Sequence, residues 1–155
     1  MRSGVGFDAH QFSSEGPLIL GGVVLDGDRG LAATSDGDVV AHAIADALLV
    51  AAALGDLGQH FPEARSEGLD SMDALRQVVG MLAGAGAAPH NVDVTVISQS
   101  VRIAPHRVEM ERAIAGAIGL ELGDVSVKAT TTDHMGAIGR DEGIAVLAIA
   151  TVESA

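Results

Sequence analysis

Apolar residues of strand type occupy two short segments near the beginning of the chain. They lie in Met1 to Gly6 and in Pro17 to Leu25, and the pair Gly21 and Gly22 inside the second segment is typical of a hairpin turn. The polar residues 26–30 predict a loop after the hairpin. We therefore expect the chain to begin with strands.

The most regular helical pattern begins after Thr34. Ser35 or Asp36 is the expected N-cap, and Gly55 is the expected stop. Between them, apolar residues recur every three or four positions, at Val39, Ala43, Ala47, Val50 and Leu54.

Two more helices are predicted further along the chain. Residues 57–71 show no period and contain Pro62, so they predict a mobile surface loop. A second helix is expected over about 71–83, starting at residue 70 or 71, with a break at 84–90. A third is expected over about 105–119, with a proline in its first turn.

Strand patterns return in the second half of the chain. The valines of NVDVTVISQ, residues 91–99, alternate with polar residues, which predicts a strand with one buried face. Residues 124–130 and 143–152 are also predicted strands, joined by a long glycine-bearing loop. We expect one domain, residues 1–155, of the α/β (α+β) class, with a mixed β-sheet and helices packed on one face.

Composition changes this picture in two ways. The 155 residues are 48% hydrophobic but only 2% aromatic, so the core must be built from small aliphatic side chains, and we expect neighbouring copies to complete its burial. The chain has no cysteine, so any bound zinc must be held by nitrogen and oxygen ligands.

Charge narrows the classes of partner. The net charge of -12 argues against nucleic acid and against an anionic membrane as partners. The sequence contains no long apolar span and no targeting segment, and we expect a cytoplasmic protein. An anionic ligand would need local cations, for which bound metal ions are the obvious source.

The first glycines formally match a dinucleotide-binding fingerprint. GVGFDA, residues 4–9, has the form G-x-G-x-x-A, but that motif requires a full strand before it and a helix directly after it. Only three residues precede Gly4, and no helical pattern follows. We therefore reject a dinucleotide site.

A metal site is one interpretation of the residues that follow. In an extended segment, Asp8 and His10 place their side chains on the same side of the chain. His42 lies near the start of the most regular helix, where Asp46 is expected to orient its ring. Two imidazoles and one carboxylate would leave zinc one open position. Alternatively, Asp38, His42 and Asp46 form the solvated face of an amphipathic helix, and spacing alone does not decide between the two.

A resemblance to a known family covers nearly the whole chain. The blocks GFDAHQF, GPLILGGV, SDGDVVAHAIADALLVAAALGDLGQHFPE, NVDVTVISQS, APH, VKATTTD and GRDEGIA occur in this order. In these blocks the chain resembles the 2-C-methyl-D-erythritol 2,4-cyclodiphosphate synthases of the non-mevalonate isoprenoid pathway. The resemblance implies an α/β domain that forms a homotrimer with active sites at the subunit interfaces. It also implies conversion of 4-diphosphocytidyl-2-C-methyl-D-erythritol 2-phosphate to the cyclic diphosphate with release of CMP.

The resemblance also implies roles for individual residues. Zn²⁺, one per chain, would be bound by Asp8, His10 and His42, and Asp133 would bind a second divalent ion, Mg²⁺ or Mn²⁺. Thr34 and Thr131 would stabilise the transition state. Ser35, Asp56, Gly58, Phe61 and Glu63 would face the methylerythritol phosphate. Ser100, Ala104, Thr130 and Thr132 would face the cytidine diphosphate, and Ala137 and Arg140 are further expected substrate contacts.

The chain departs from the family pattern at several of these positions. Thr34 replaces the usual histidine, so it offers a neutral hydrogen bond without charge. Ala137, Asp141 and Val101 replace the usual residues around the nucleotide and are expected to loosen its pocket. Arg140 and Phe7 match positions on the trimer axis, where an isoprenoid diphosphate binds in some relatives, but Leu147 stands where some relatives carry glutamate.

Two other functions remain open on the sequence. The same metal ions could promote attack by water, which would make the protein a nucleotide diphosphate hydrolase. Alternatively, the protein could be a zinc-containing trimer that binds isoprenoid phosphates with weakened or lost turnover, an interpretation that Thr34, Ala137 and Leu147 favour.

Overall fold

The computed structural model describes residues 1–26 and 28–154. Gly27, inside the predicted loop 26–30, and Ala155 lie outside the described residues. The strands are β1 (Arg2–Ser13), β2 (Leu18–Leu20), β3 (Val23–Asp26), β4 (Gly30–Leu31), β5 (Ala87–Ile97), β6 (Val125–Thr130) and β7 (Gly143–Ser154). The α-helices are α1 (Val39–Ala51), α2 (Leu57–His60), α3 (Ser71–Gly84), α4 (Arg107–Ile118) and α5 (Gly136–Gly139). Single 3₁₀ turns lie at Glu63–Arg65, Ala104–His106 and Leu122–Asp124.

Five strands form one mixed sheet in the order β4-β1-β7-β5-β6. β5 and β6 are parallel, and the other neighbours are antiparallel. One face of the sheet is buried through residues such as Gly6, Ala148 and Val94, and α1 packs on it. The opposite face exposes Phe7 and Leu147. The prediction of a mixed sheet with helices on one face is confirmed.

The hairpin prediction is also confirmed. β2 and β3 pair in an antiparallel two-stranded sheet, and the two residues between them, Gly21 and Gly22, have φ of 58° and 76°. Positive φ at both central residues is the geometry of a type I′ hairpin turn, which glycine adopts without steric cost.

The predicted caps of the first helix are wrong. The N-cap of α1 is Asp38, whose carboxylate accepts hydrogen bonds from the N–H groups of Val40 and Ala41. Ser35 instead accepts from Gly37 N at 3.2 Å, and Asp36 accepts from Asp38 N at the same distance. The helix ends at Ala51, before Gly55.

The solvated-face interpretation of this helix is wrong as well. Asp38 is completely buried, since it also accepts from Gly21 N and Gly22 N, each at 2.8 Å, and thereby ties the hairpin to α1. Four hydrogen-bond donors compensate the burial of this carboxylate. The rest of α1 is buried on nearly all sides and forms the centre of the core.

Several predicted boundaries differ from the observed ones. β1 continues past Gly6 to Ser13, because it pairs with β7 from Arg2↔Val152 to Gln11↔Gly143. β5 begins at Ala87, inside the expected break, because it pairs with β7 there. The expected loop 57–71 contains α2 and a 3₁₀ turn. None of the described helices is long and apolar enough to cross a membrane.

Candidate metal centre and active-site cavities

Two glycines of β1 bring the strand against α1. A Cβ atom on Gly4 would lie 2.2 Å from the carbonyl oxygen of Ala47, and one on Gly6 would lie 1.9 Å from that of Ala43. Any larger residue would therefore collide with the helix backbone. These glycines serve helix packing inside a strand, which agrees with the rejection of a dinucleotide site.

The same face of β1 continues from the glycines to Asp8 and His10. Because side chains alternate along a strand, residues 4, 6, 8 and 10 all face α1. His42, in the first turns of α1, lies opposite the two polar residues. Asp8 Oδ2 is 3.0 Å from His42 Nδ1 and 3.2 Å from His10 Nε2. The two segments, some thirty residues apart, therefore meet as the metal-site interpretation requires.

Hydrogen bonding decides which atoms of His10 face the carboxylate. His10 Nδ1 lies 2.8 Å from the carbonyl oxygen of Ala32, which can only accept a hydrogen bond. Nδ1 is therefore the protonated nitrogen of the neutral ring, and Nε2 presents its lone pair to Asp8. Two electron-rich atoms facing each other require a positive charge between them.

The pKa values of Asp8 and His10 also indicate that this cluster favours a positive charge. Burial alone would raise the pKa of the Asp8 carboxyl, but its hydrogen bonds to His10 and His42 outweigh burial and hold this pKa well below its usual range. The hydrogen bond to Asp8 raises the pKa of His10 above its ordinary value, against burial, which lowers it. A proton takes the place of a cation in this cluster when no metal ion is bound.

The donor set fits a transition-metal ion. Ligand atoms of Asp8, His10 and His42 all lie within 4.8 Å of one another, close enough to share one ion. Two imidazole nitrogens and one carboxylate oxygen, with a further position open to a cavity, are typical of catalytic zinc sites. The three side chains are only 17–26% exposed, so the protein itself covers most of the site.

This cluster lies in the wall of a cavity of about 630 Å³. The predicted site residues that also line it are Thr34, Ser35, Asp56, Gly58, Phe61 and Glu63. Asp56 is held by its role as N-cap of α2, where it accepts from Gln59 N at 2.9 Å. The cavity thus joins the cluster to the segment expected to bind the methylerythritol phosphate.

Asp46 has a different role from the predicted one. It was expected to orient the ring of His42, but its Oδ1 accepts from Leu57 N at 3.0 Å. Asp46 therefore fixes the start of α2, the short helix that presents Asp56 and Gly58 to the cavity. The polar neighbours of His42 Nε2 are instead Ser71 Oγ at 2.9 Å and Ser35 Oγ at 3.4 Å.

A second cavity, of about 400 Å³, holds part of the predicted nucleotide site. Ala104, Thr130 and Thr131 line it, together with Val101 and Arg102. The two cavities have no lining residue in common. The expected active site therefore has two halves that are separate in a single chain. The metal half lies at the larger cavity and the nucleotide half at the smaller one.

The remaining predicted residues line neither cavity: Ser100 lies after β5, and the others lie in the loop before β7. Asp133 has φ of 53° and donates its backbone N–H to Thr131 Oγ at 3.1 Å, which places it beside the second cavity and outside the triad. Thr132 Oγ donates to the carbonyl of Met135 at 2.7 Å. Ala137 belongs to α5, and Arg140 Nε lies 2.6 Å from a carboxylate oxygen of Glu142.

Ser100 has partners that sequence reasoning missed. Its Oγ donates to Asp141 Oδ1 at 2.6 Å and accepts from Arg29 at 2.8 Å, while Arg29 also pairs with Asp141 Oδ2 at 2.9 Å. The Arg29 guanidinium stacks 3.8 Å from the ring centre of Phe12. Asp141 thus adds contacts beside the predicted nucleotide site. Ala137 and Val101 remain the residues that are expected to loosen the nucleotide pocket.

The chain is similar to named proteins of one family over its whole length. A model of the YgbB family matches residues 1–153. The 2-C-methyl-D-erythritol 2,4-cyclodiphosphate synthase of Salinibacter ruber is 52% identical over 157 residues, which cover 100% of each chain. The protein of the same name from Escherichia coli O6:K15:H31 is 51% identical over 152 residues, covering 97% of this chain and 96% of the relative.

Solved structures show the same fold. The bifunctional IspDF of Campylobacter jejuni superposes with a TM-score of 0.97 and 38% identity, over 99% of this chain and 42% of that protein, so this chain spans less than half of the bifunctional protein. IspF of Plasmodium falciparum in complex with CDP superposes with a TM-score of 0.87 and 28% identity, over 99% and 96% of the two chains.

Proposed function

The chain belongs to the YgbB family and has the cyclodiphosphate synthase role of its relatives in isoprenoid biosynthesis, and from this premise we propose how its own residues perform that reaction. The substrate is 4-diphosphocytidyl-2-C-methyl-D-erythritol 2-phosphate. The products are the 2,4-cyclic diphosphate and CMP. The observation that carries the proposal is the convergence of Asp8, His10 and His42 in the wall of the larger cavity.

The reaction needs position and charge more than it needs a base. An oxygen of the 2-phosphate forms a bond to the β-phosphorus, while the bond from that phosphorus to the oxygen shared with the α-phosphate breaks and its electron pair leaves with CMP. The attacking oxygen is already anionic, so no proton has to be removed from it. The protein must therefore hold two phosphates together and disperse their charge.

The larger cavity would hold the methylerythritol phosphate. Asp56 and Gly58 line it from α2, and Ser35 lines it next to the cluster. We propose Zn²⁺ for the triad, one ion per chain, and Mg²⁺ or Mn²⁺ at Asp133; when bound, these ions would supply Lewis-acid stabilisation of the phosphate oxygens.

The smaller cavity would hold the cytidine diphosphate. Solved relatives of this fold have CDP bound. Thr131 lines this cavity, and its Oγ accepts from Asp133 N, so its hydroxyl hydrogen can be donated to a phosphate oxygen. Thr34 would donate a second neutral hydrogen bond from the larger cavity. Preorganised donors of this kind stabilise the charge of the transition state.

We propose that the complete active site forms between copies of a homotrimer. The two cavities are separate within one chain, so one copy would supply the triad and its neighbour the nucleotide half. The uncovered sheet face supports association, because Phe7 is 61% exposed and pairs across the strands with Leu147, and Val5 pairs likewise with Ile149. Large exposed side chains that adjoin on a sheet face mark interaction surfaces.

The replacement His42→Ala tests the function directly. We expect it to lose the bound zinc and the cyclic product together, because one of three ligands is removed. The measurements are metal content by mass spectrometry and phosphorus NMR of the reaction mixture. His90, an exposed histidine paired only loosely with Glu153 at 3.7 Å, provides the matched control His90→Ala, which should retain both.

The same NMR spectrum distinguishes the alternatives. A linear monophosphate in place of the cyclic product would show that water is the nucleophile, and binding of the substrate without CMP release would show a binding protein. Zinc content and turnover that survive in His42→Ala would refute the proposed centre.

A further inference from the structure

We propose that Ser71 and Asp36 are positioning residues that fix which nitrogen of His42 carries the hydrogen, and thereby hold the other nitrogen ready for the metal ion. This inference rests on the metal centre proposed above. The sequence pattern places these two residues only at the starts of helices.

Ser71 lies behind His42, on the side away from Asp8. It is the first residue of α3, is 1% exposed, and its Oγ is 2.9 Å from His42 Nε2. The same Oγ forms a short hydrogen bond to Asp36 Oδ1, and Asp36 Oδ2 accepts from Ser71 N at 3.0 Å. Asp36 therefore holds both the backbone and the hydroxyl of Ser71.

The positions of the hydrogens follow from what each group can donate. The ionised carboxylate of Asp36 can only accept, so the single hydroxyl hydrogen of Ser71 must point to Asp36. Ser71 Oγ then has only lone pairs left for His42, so Nε2 must donate to it. The second serine near this nitrogen, Ser35, is farther away at 3.4 Å and forms the weaker contact.

A hydrogen on Nε2 leaves Nδ1 of the neutral ring with a free lone pair. That nitrogen is the one that lies 3.0 Å from Asp8 Oδ2. His10 is held in the equivalent way, by its hydrogen bond to the carbonyl of Ala32. Both rings are thus oriented from behind, so their lone pairs point to the position that a metal ion would share with Asp8.

The variants Ser71→Ala and Asp36→Asn test this role. Ser71→Ala removes the acceptor for His42 Nε2–H. Asp36→Asn can donate to Ser71 Oγ, which frees the serine hydrogen to turn toward His42 and favours the opposite form of the ring. Loss of such supporting hydrogen bonds weakens metal binding by roughly 10- to 100-fold. Zinc affinity is measured by competition with a chelator of known affinity.

A second measurement determines which nitrogen of the His42 ring carries the hydrogen. Nitrogen NMR of the zinc-loaded chain should show the hydrogen of His42 on Nε2, and the signal of this hydrogen should shift in Ser71→Ala, which removes its acceptor, and in Asp36→Asn. The matched control is Asp70→Ala, which removes the N-cap of the same helix end but does not touch His42. It should lower stability and leave zinc affinity unchanged.

The outcomes separate this inference from the function on which it rests. Unchanged zinc affinity in both variants, with zinc lost in His42→Ala, would overturn the positioning role and leave the metal centre intact. A hydrogen on Nδ1 of His42 in the zinc-loaded wild-type chain would overturn it too, whether or not Ser71→Ala folds. A wild-type chain that binds no zinc would overturn the metal centre and this inference together.

Discussion

At the scale of single residues, hydrogen bonds between charged and polar side chains connect loops whose mutual contacts the sequence pattern does not predict. Arg29 lies before β4, Ser100 after β5, and Asp141 before β7, yet their side chains bond to one another. Asp141 has φ of 60°, a backbone region in which most side chains are strained. Its hydrogen bonds to Arg29 and Ser100 offset that strain and join three loops next to the nucleotide half.

The replacement Asp141→Asn should reduce stability in a pH-dependent way. Burial raises the pKa of Asp141, but its hydrogen bonds to Ser100 and Arg29 outweigh burial and lower it below its ordinary value of 3.8. A carboxyl with a lowered pKa stabilises the fold above its unfolded value, and that contribution disappears as the pH falls through the folded value. The pair is one-third exposed, so we expect a loss of at most about 1 kcal/mol.

Urea unfolding of both proteins over a range of pH checks this expectation. Asparagine tolerates positive φ, so the backbone should not change. The difference in unfolding free energy should be constant near neutral pH and should shrink once the pH falls below about 3.8. A difference of the same size in acid would show that the charge of Asp141 contributes nothing.

At the scale of elements, the site depends on how closely β1 and α1 approach. The proposed metal ligands come from these two elements, and Gly4 and Gly6 set the distance between the elements. Asp38 adds a second constraint, since it caps α1 and binds the hairpin turn at Gly21 and Gly22. The helix that carries His42 is therefore fixed both against the strand and at its beginning.

The replacement Gly6→Ala should damage both the fold and the metal centre. Its Cβ would lie 1.9 Å from Ala43 O and 2.8 Å from Ala47 N, and backbone atoms of a buried helix cannot move aside cheaply. Overpacking of this kind costs about 1–3 kcal/mol or more. Because α1 must move away from β1, His42 should separate from Asp8 and zinc affinity should fall.

Thermal unfolding and zinc titration measure the two effects. The control is Gly80→Ala on the exposed surface of α3, where nothing lies within 4 Å of the added Cβ. That replacement should raise stability by up to about 1 kcal/mol, since alanine favours a helix over glycine. Equal behaviour of the two variants would show that close approach at Gly6 is unimportant.

At the scale of the whole molecule, a single chain has two separate cavities, which we propose are halves of an active site, and an uncovered apolar sheet face. The cavity with the triad and the cavity with Thr131 have no residue in common. The outer face of β1 and β7 exposes neighbouring side chains such as Phe7 and Leu147. A cyclic arrangement of copies would cover this face and complete each active site from two chains.

Mixing two inactive variants tests this arrangement. His42→Ala removes the metal half, and Thr131→Ala removes a donor of the nucleotide half. If each site combines halves from two chains, equal random mixing in a cyclic oligomer makes about one quarter of the sites intact. Activity measured after unfolding and refolding the variants together should recover to about that fraction of the wild-type value.

The refolded single variants are the matched controls, and each should stay inactive. Failure of the mixture to recover, with oligomers present by light scattering, would place both halves of each site in one chain.

Local pattern predicted those features of the chain that depend on neighbouring residues. The alternating valines of β5 and the period of α1 were predicted because side-chain direction repeats every 2 or 3.6 residues. The turn at Gly21 and Gly22 was predicted because glycine adopts positive φ without steric cost. The same periodicity placed Asp8 and His10 on one side of the chain. Spacing left His42 either as a third metal ligand or as part of a solvated helix face, and the family resemblance favoured the ligand.

Tertiary structure decided everything that depends on partners distant in sequence. The length of β1 follows from pairing with β7, the cap of α1 is shared with a hairpin, and Ser71 reaches His42 across 29 positions. No local signal encodes such contacts, because the free energy of a strand pair, a shared cap or a buried hydrogen bond depends on both partners. The sequence contained the three candidate metal ligands, and only the packing of α1 on the glycines of β1 brings them together.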